Sequence, residues 1–253
     1  MSIHIPLANM GAFVAAYAQS DLLGKVIILG LISLSIISWV VLIQKIWMAR
    51  EVTRASEAFH KAFLLNKERL LHLEPSELPK PKNKMVPHPY AEVFADLKAK
   101  TVEILNKNLF FYTQTVGKQQ EQIYLSQADL EIVESFVLTT LSAQTKKLEK
   151  NLFILSTIIT LGPFLGLLGT VWGILVTFSE LGNGGASGSN MAMLGGLSTA
   201  LATTVLGLII AIPALIAHNY LKNFVRNYAS SMEEFLYQLL SFVELQYRKA
   251  DVS

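Results

Sequence analysis

The chain has 253 residues, of which 52% are hydrophobic and only 16% charged, and its net charge is +2. Soluble domains carry about 25% charged residues, so this composition favours an integral membrane protein with a polar part attached. The small net charge gives no support for a nucleic-acid partner. The absence of cysteine excludes disulfides, thiolate metal sites and cysteine nucleophiles.

Three apolar blocks are long enough to cross a bilayer, which requires roughly 20 mostly apolar residues. They predict an all-α membrane protein with transmembrane helices at 22–47, 151–180 and 191–219. Residues 1–20 carry no lysine or arginine, so the positive region of a cleaved signal peptide is missing. We therefore expect the first block to be retained as a membrane span.

The basic residues predict the orientation of the three spans. All lysines and arginines except Lys25 lie between Lys45 and Lys150 or from Lys222 onward. Because basic residues remain on the cytoplasmic side, residues 1–21 form a periplasmic segment and residues 48–150 are cytoplasmic. By the same rule, 181–190 is a short periplasmic turn and 220–253 a cytoplasmic helical tail.

The region 48–150 shows helical spacing, interrupted by a proline-rich loop at 74–90 that holds five of the eight prolines. Past Gly117 neither proline nor glycine occurs before the second block. The pattern predicts a continuous helix that runs into that block and projects well beyond the membrane. Four regularly spaced leucine and valine residues predict its packing face: Leu130, Val137, Leu141 and Leu148.

The second and third blocks contain many small residues. The second has glycines at intervals of four, three and four, and the third has another among its alanines and threonines. Small residues let membrane helices approach closely, so these glycines predict a packing seam. The seam residues are Gly162, Gly166, Gly169, Gly173 and Gly207.

Threonines accompany this seam at Thr170, Thr177 and Thr204. Their hydroxyls can bond the carbonyl one turn earlier, or they can line a narrow, partly hydrated path. Pro163 and Pro213 each lie inside an apolar block, where a proline produces a hinge or a static kink. The spacing leaves these alternatives open.

The sequence predicts no enzyme activity, metal site or cofactor, since it contains no HExxH, GxSxG, Walker or dinucleotide-binding pattern. A stand-alone solute transporter is disfavoured because no charged residue lies at membrane depth in the second and third blocks and no inverted repeat is visible. A non-conducting membrane scaffold is a further alternative.

Two segments resemble the hallmark region of the MotA/TolQ/ExbB proton-channel family, and most closely its TolQ and ExbB branch. They are "GPFLGLLGTVWGILVTFSELG" and "GGLSTALATTVLGLIIAIPALIAHNYL". The stretch "SIISWVVLIQK" in the first block also resembles that branch. The resemblance implies a homo-oligomeric ring, usually a pentamer, in the bacterial inner membrane.

The resemblance also implies partners and a role. A dimer of a single-span TolR- or ExbD-like protein occupies the ring and supplies an intramembrane aspartate. A TolA- or TonB-like protein is a further partner. By position, Thr170 and Thr204 match the family's pore threonines, and Thr199 and Thr203 add polar surface. We expect the chain to use the proton motive force for Tol-Pal envelope maintenance, or alternatively for TonB-dependent uptake.

One position departs from the family pattern. Many TolQ and ExbB proteins have a glutamate where this chain has Thr199. The nearest acid, Glu180, lies at the outer end of the second block. It either sits at the pore mouth or caps the helix end in water.

Overall fold

The computed structural model describes residues 14, 17–18, 20–65, 86–116, 124–182 and 189–247. The described part of the chain is all-α, as predicted. Its five long helices, in chain order, are α1 (Leu22–Leu65), α2 (Pro89–Val116), α3 (Gln127–Glu149), α4 (Leu152–Gly182) and α5 (Ser189–Tyr247).

Three of these helices, α1, α4 and α5, are long and apolar enough to cross a membrane. They contain the three blocks predicted from the sequence. Helices α1 and α5 continue past those blocks without a break, so the third block and most of the predicted tail form one helix. Residues 1–13, most of the proline-rich loop, the centre of the turn after α4 and residues 248–253 lie outside the described residues.

The chain divides into two compact units. We call Met1–Lys45 with Asn151–Leu221 the apolar unit, and Ile46–Lys150 with Lys222–Ser253 the charged unit. In the apolar unit, Ile27 and Leu31 of α1 pack with Ile158 of α4 and with Ile210 and Ala214 of α5. Each of its three helices therefore contributes to one buried cluster.

The charged unit has an aromatic core. Phe59 and Phe63 of α1, Phe94 of α2 and Phe235 of α5 are almost fully buried and meet edge to face. Such ring pairs stabilise a core beyond their apolar area. The predicted stripe of α3 is also buried in this unit, namely Leu130, Val137, Leu141 and Leu148.

The expectation of one continuous helix running into the second block is wrong. Helix α3 ends at Glu149, and α4 begins at Leu152. Between them Asn151 has φ 69°, in the left-handed region that asparagine enters more readily than other non-glycine residues. The backbone N–H of Lys150 donates to Lys146 O at 3.0 Å and closes the last turn of α3. A single asparagine therefore interrupts the helix without glycine or proline.

The predicted loop at 74–90 also extends too far, because α2 begins at Pro89. Proline fits the first position of a helix, where the missing N–H has no intrahelical partner in any case. Ser126 and Asp129 start α3 with a capping box in which each side chain accepts the other residue's backbone N–H.

Asn151 provides a test of this helix break. Replacing it with valine should destabilise the folded chain by about 1–3 kcal/mol, because a β-branched residue strains at positive φ. Asn151→Gly is the matched control and should preserve stability, because glycine adopts this conformation freely. Thermal melting of the detergent-solubilised protein measures both. Equal melting temperatures for the two variants would contradict a left-handed junction.

Candidate functional site

Four of the five glycines of α4, all except Gly182 at its end, lie on the face that contacts α5. A Cβ atom added to Gly166 would lie 3.0 Å from Thr203 O and from Thr204 Cα. One added to Gly173 would lie 2.9 Å from Ala200 Cβ, and one on Gly162 would lie 3.1 Å from Gly207 O. The two helices therefore approach backbone to backbone, at a distance that larger residues would prevent.

Thr203 fills the gap that Gly169 leaves. Its side chain is 1% exposed, and a Cβ on Gly169 would overlap its hydroxyl and its own Cβ. The Thr203 hydroxyl lies 2.7 Å from Ala200 O on its own helix and 3.3 Å from Gly166 O on α4. This threonine is thus part of the helix interface, with its polar atom satisfied inside it.

Thr204 makes the more direct bond between the helices. Its hydroxyl donates to the Gly166 carbonyl at 3.1 Å, and its side chain is half-buried. In a regular helix that carbonyl also accepts the backbone N–H of the residue four positions later, which is Thr170. The Gly166 carbonyl is therefore approached by the Thr203 and Thr204 hydroxyls of α5 and is one helical turn before Thr170 on α4.

Thr170 has a half-buried side chain whose hydroxyl donates to Leu167 O at 2.7 Å. A hydroxyl has one proton and two lone pairs, so this bond leaves the oxygen free to accept. The sequence left open whether these threonines bond a backbone carbonyl of their own helix or line a hydrated path. For Thr170 the structure shows the bond to a carbonyl of its own helix. It also leaves an acceptor on a partly open face.

The remaining predicted threonines lie deeper in the interface. Thr177 is 9% exposed and donates to Gly173 O at 2.8 Å, with its hydroxyl directly against Gly196. Thr199, the position that departs from the pattern expected from the resemblance, is 7% exposed. Burial of this position between helices suits a small neutral side chain better than an unpaired carboxylate. The side chain of Glu180 lies outside the described residues.

Pro163 and Pro213 lie inside α4 and α5, and both helices are continuous through them. Each removes one backbone N–H donor from its helix. The role of either proline as a hinge stays a prediction.

Sequence reasoning missed one polar contact in the apolar unit. The Nε1–H of Trp172 on α4 donates to Asp21 Oδ2 at 2.7 Å, just before α1 begins. The two residues are 151 positions apart, and although Trp172 lies in the hallmark segment, nothing in the local sequence pairs it with Asp21.

With this geometry in place, comparison with known proteins identifies the class. Residues 107–234, just over half of the chain, match the model of the MotA/TolQ/ExbB proton channel family. The chain belongs to this family, and its relatives place it in the TolQ and ExbB branch. The expected resemblance is confirmed, and the three apolar helices fit a membrane protein.

Individual relatives carry two different names. The biopolymer transport protein ExbB of Aquifex aeolicus is 47% identical over 81 residues, which are 32% of this chain and 54% of that protein. The ExbB protein of Helicobacter pylori is 43% identical over 99 residues, which are 39% of this chain and 64% of that protein. The Tol-Pal system protein TolQ of Haemophilus influenzae is 26% identical over 235 residues, which are 88% of this chain and 91% of that protein. The first two matches thus span less than two thirds of those relatives.

Gly169 allows the helix interface to be tested. Gly169→Ala should destabilise the α4–α5 pair by about 1–3 kcal/mol, since its Cβ would overlap the buried Thr203 side chain. Gly30→Ala in α1 is the control, because nothing lies within 4 Å of a Cβ added there. Melting temperature in detergent is the measurement. A Gly169→Ala protein as stable as the control would show that the helices do not approach this closely.

Proposed function

We propose that this chain is the channel-forming subunit of an inner-membrane motor driven by the proton motive force. The observation that carries this is the shared Gly166 carbonyl, which accepts the Thr204 hydroxyl between two apolar helices. Polar groups inside an apolar helix pair are retained where they serve packing or conduction. By the resemblance, Thr170 and Thr204 correspond to the family's pore threonines, which favours conduction.

The chain needs a second protein to move protons. Between Lys150 and Lys222 its only formally charged side chain is Glu180, at the end of α4. One elementary charge crossing 100 mV releases about 2.3 kcal/mol, and a device that uses this energy requires a titratable group at depth. A TolR- or ExbD-like single-span partner supplies that group as an intramembrane aspartate.

The threonines then solvate the partner's carboxylate. The Thr170 and Thr204 oxygens retain acceptor capacity, and bridging water connects them to the carboxylate as it binds and releases protons. Thr177, Thr199 and Thr203 are buried behind this surface, where their small size allows the helices to pack closely. None of these groups changes its charge, so the proton binds only to the partner.

Assembly follows from the surface of the apolar unit. Large apolar side chains are exposed on α1, α4 and α5, with Ile36 at 61%, Phe164 at 64% and Ile216 at 66%. Such surfaces suit lipid and further copies of the chain. We propose a pentameric ring around a partner dimer, with the N-terminus periplasmic, residues 48–150 and the tail cytoplasmic, and the turn after α4 periplasmic.

The first candidate role is Tol-Pal envelope maintenance through a TolA-like protein. The TolQ relative that matches over most of both chains supports it. The second is TonB-dependent uptake, supported by the higher identity of some ExbB relatives over shorter segments and by an ExbB relative that, like the TolQ relative, matches over most of both chains. Expression in strains lacking each native system separates them. Restored detergent resistance indicates the Tol role, and restored growth on chelated iron indicates the uptake role.

The pore role of the threonines has a direct test. Thr170→Val and Thr204→Val should each lower proton flux by about tenfold or more while ring assembly with the partner is retained, because valine preserves shape and removes the hydroxyl. Thr160→Val is the matched control, since its exposed hydroxyl bonds only Ser156 O on the same helix. Flux is measured in proteoliposomes with a pH-sensitive dye. Full flux in both variants would refute the assigned role.

The need for a partner gives a second expectation. Vesicles with this chain alone should conduct protons no faster than empty vesicles, whereas vesicles that also contain the single-span partner should conduct. Replacing the partner's intramembrane aspartate with asparagine should abolish the difference. Conduction by the chain alone would contradict the proposal that the partner supplies the titratable group. Absence of flux in every mixture would favour a non-conducting scaffold.

A further inference from the structure

Asp21 makes two hydrogen bonds at the start of α1. Its Oδ1 accepts the backbone N–H of Gly24 at 2.9 Å and so caps the first turn of the helix. Its Oδ2 accepts the Nε1–H of Trp172 on α4 at 2.7 Å. One carboxylate therefore fixes the beginning of one apolar helix and a side chain in the C-terminal half of another.

The direction of Trp172 follows from helix geometry. Successive residues are about 100° apart around an α-helix. On this wheel Trp172 lies about 90° to one side of the glycine face of α4, and Thr170 about 70° to the other side. The glycine face contacts α5. Trp172 reaches the N-terminal end of α1. Thr170 lies on the opposite side of the glycine face, on a part of α4 that contacts neither α1 nor α5 through these residues.

The other contacts between α1 and α4 are apolar. Ile158 and Leu165 of α4 pack in the cluster that contains Ile27 and Leu31 of α1. Both lie within about 40° of Trp172 around α4, which supports the assignment of this side to α1. Apolar contacts are not directional, and in lipid they gain little over contacts with lipid tails. The Asp21–Trp172 bond, in contrast, requires one rotation of α4.

We infer that Asp21 and Trp172 form a rotational anchor that holds α4 so that Thr170 faces the proton path. Both are positioning residues and take no part in proton transfer. The role of Thr170 in this inference rests on the proposed function. The anchor itself is a statement about the rotation of α4, and it can be measured without any proton flux.

The chain contains no cysteine, so a single introduced cysteine reports the exposure of one position. Thr170→Cys and Leu168→Cys place thiols about 160° apart on α4. In the complex with the partner, a small charged methanethiosulfonate reagent should label position 170 faster than position 168. Loss of the anchor should then lower the ratio of the 170 rate to the 168 rate.

Trp172→Phe removes only the N–H donor and should lower this ratio by roughly threefold or more. Asp21→Asn should do the same, because the amide offers one carbonyl oxygen in place of two acceptors. Combining the two substitutions should have no further effect, since both remove the same bond. Trp39→Phe is the matched control: it changes an exposed tryptophan of α1 and should leave the ratio unchanged.

The outcomes separate the two inferences. An unchanged ratio in Trp172→Phe, or additive effects of the two substitutions, would overturn the anchor whatever happens to flux. Poor labelling of Thr170→Cys in the otherwise unaltered complex would overturn the proposed path at this position. Even then, a ratio of the 170 rate to the 168 rate that changes in both Trp172→Phe and Asp21→Asn would support the anchor. Gel filtration of each complex verifies assembly, and Asp21→Asn alone decides if Trp172→Phe fails to assemble.

Discussion

The close approach of α4 and α5 is the constraint on which the apolar unit depends. Water is absent from the bilayer core, so apolar side chains gain little by leaving lipid for one another. What remains is van der Waals contact between backbones, and four glycines on one face permit it. The same closeness brings the carbonyl of Gly166 within reach of hydroxyls on the neighbouring helix. Packing and polarity at this site therefore have one cause.

The charged unit is stabilised in a different way. Its core packs four phenylalanines among leucine, isoleucine and valine side chains, as expected where burial from water drives folding. Ser56 and Tyr228 share a buried hydrogen bond of 2.5 Å beside this core, and burial raises the pKa of the Tyr228 hydroxyl even though that bond opposes the shift. A neutral tyrosine is thus retained at any ordinary pH. The charged unit thus buries large aromatic side chains, whereas the α4–α5 contact of the apolar unit is made by small ones.

The sequence predicted those features that local patterns determine. Apolar length indicated the three spans, and helical spacing indicated the stripe that α3 buries. The break at Asn151 was missed because only the backbone angle distinguishes an asparagine that continues a helix from one that ends it. The Asp21–Trp172 bond was missed because the two residues meet only in the folded chain. The glycine spacing indicated a seam, but not that Thr203 would occupy the space at Gly169.

The burial of Thr199, where the family resemblance leads one to expect a glutamate, fits the same constraint. This position is 7% exposed, on the helix that packs backbone to backbone against α4. A carboxylate there would require a partner or a proton to offset its loss of hydration. A threonine hydroxyl is small and can find its bond within the helix pair. In the proposed function the titratable group belongs to another protein, and a neutral Thr199 places no second acid beside it. The substitution is therefore compatible with conduction, provided that the partner's carboxylate is the only site that binds the proton.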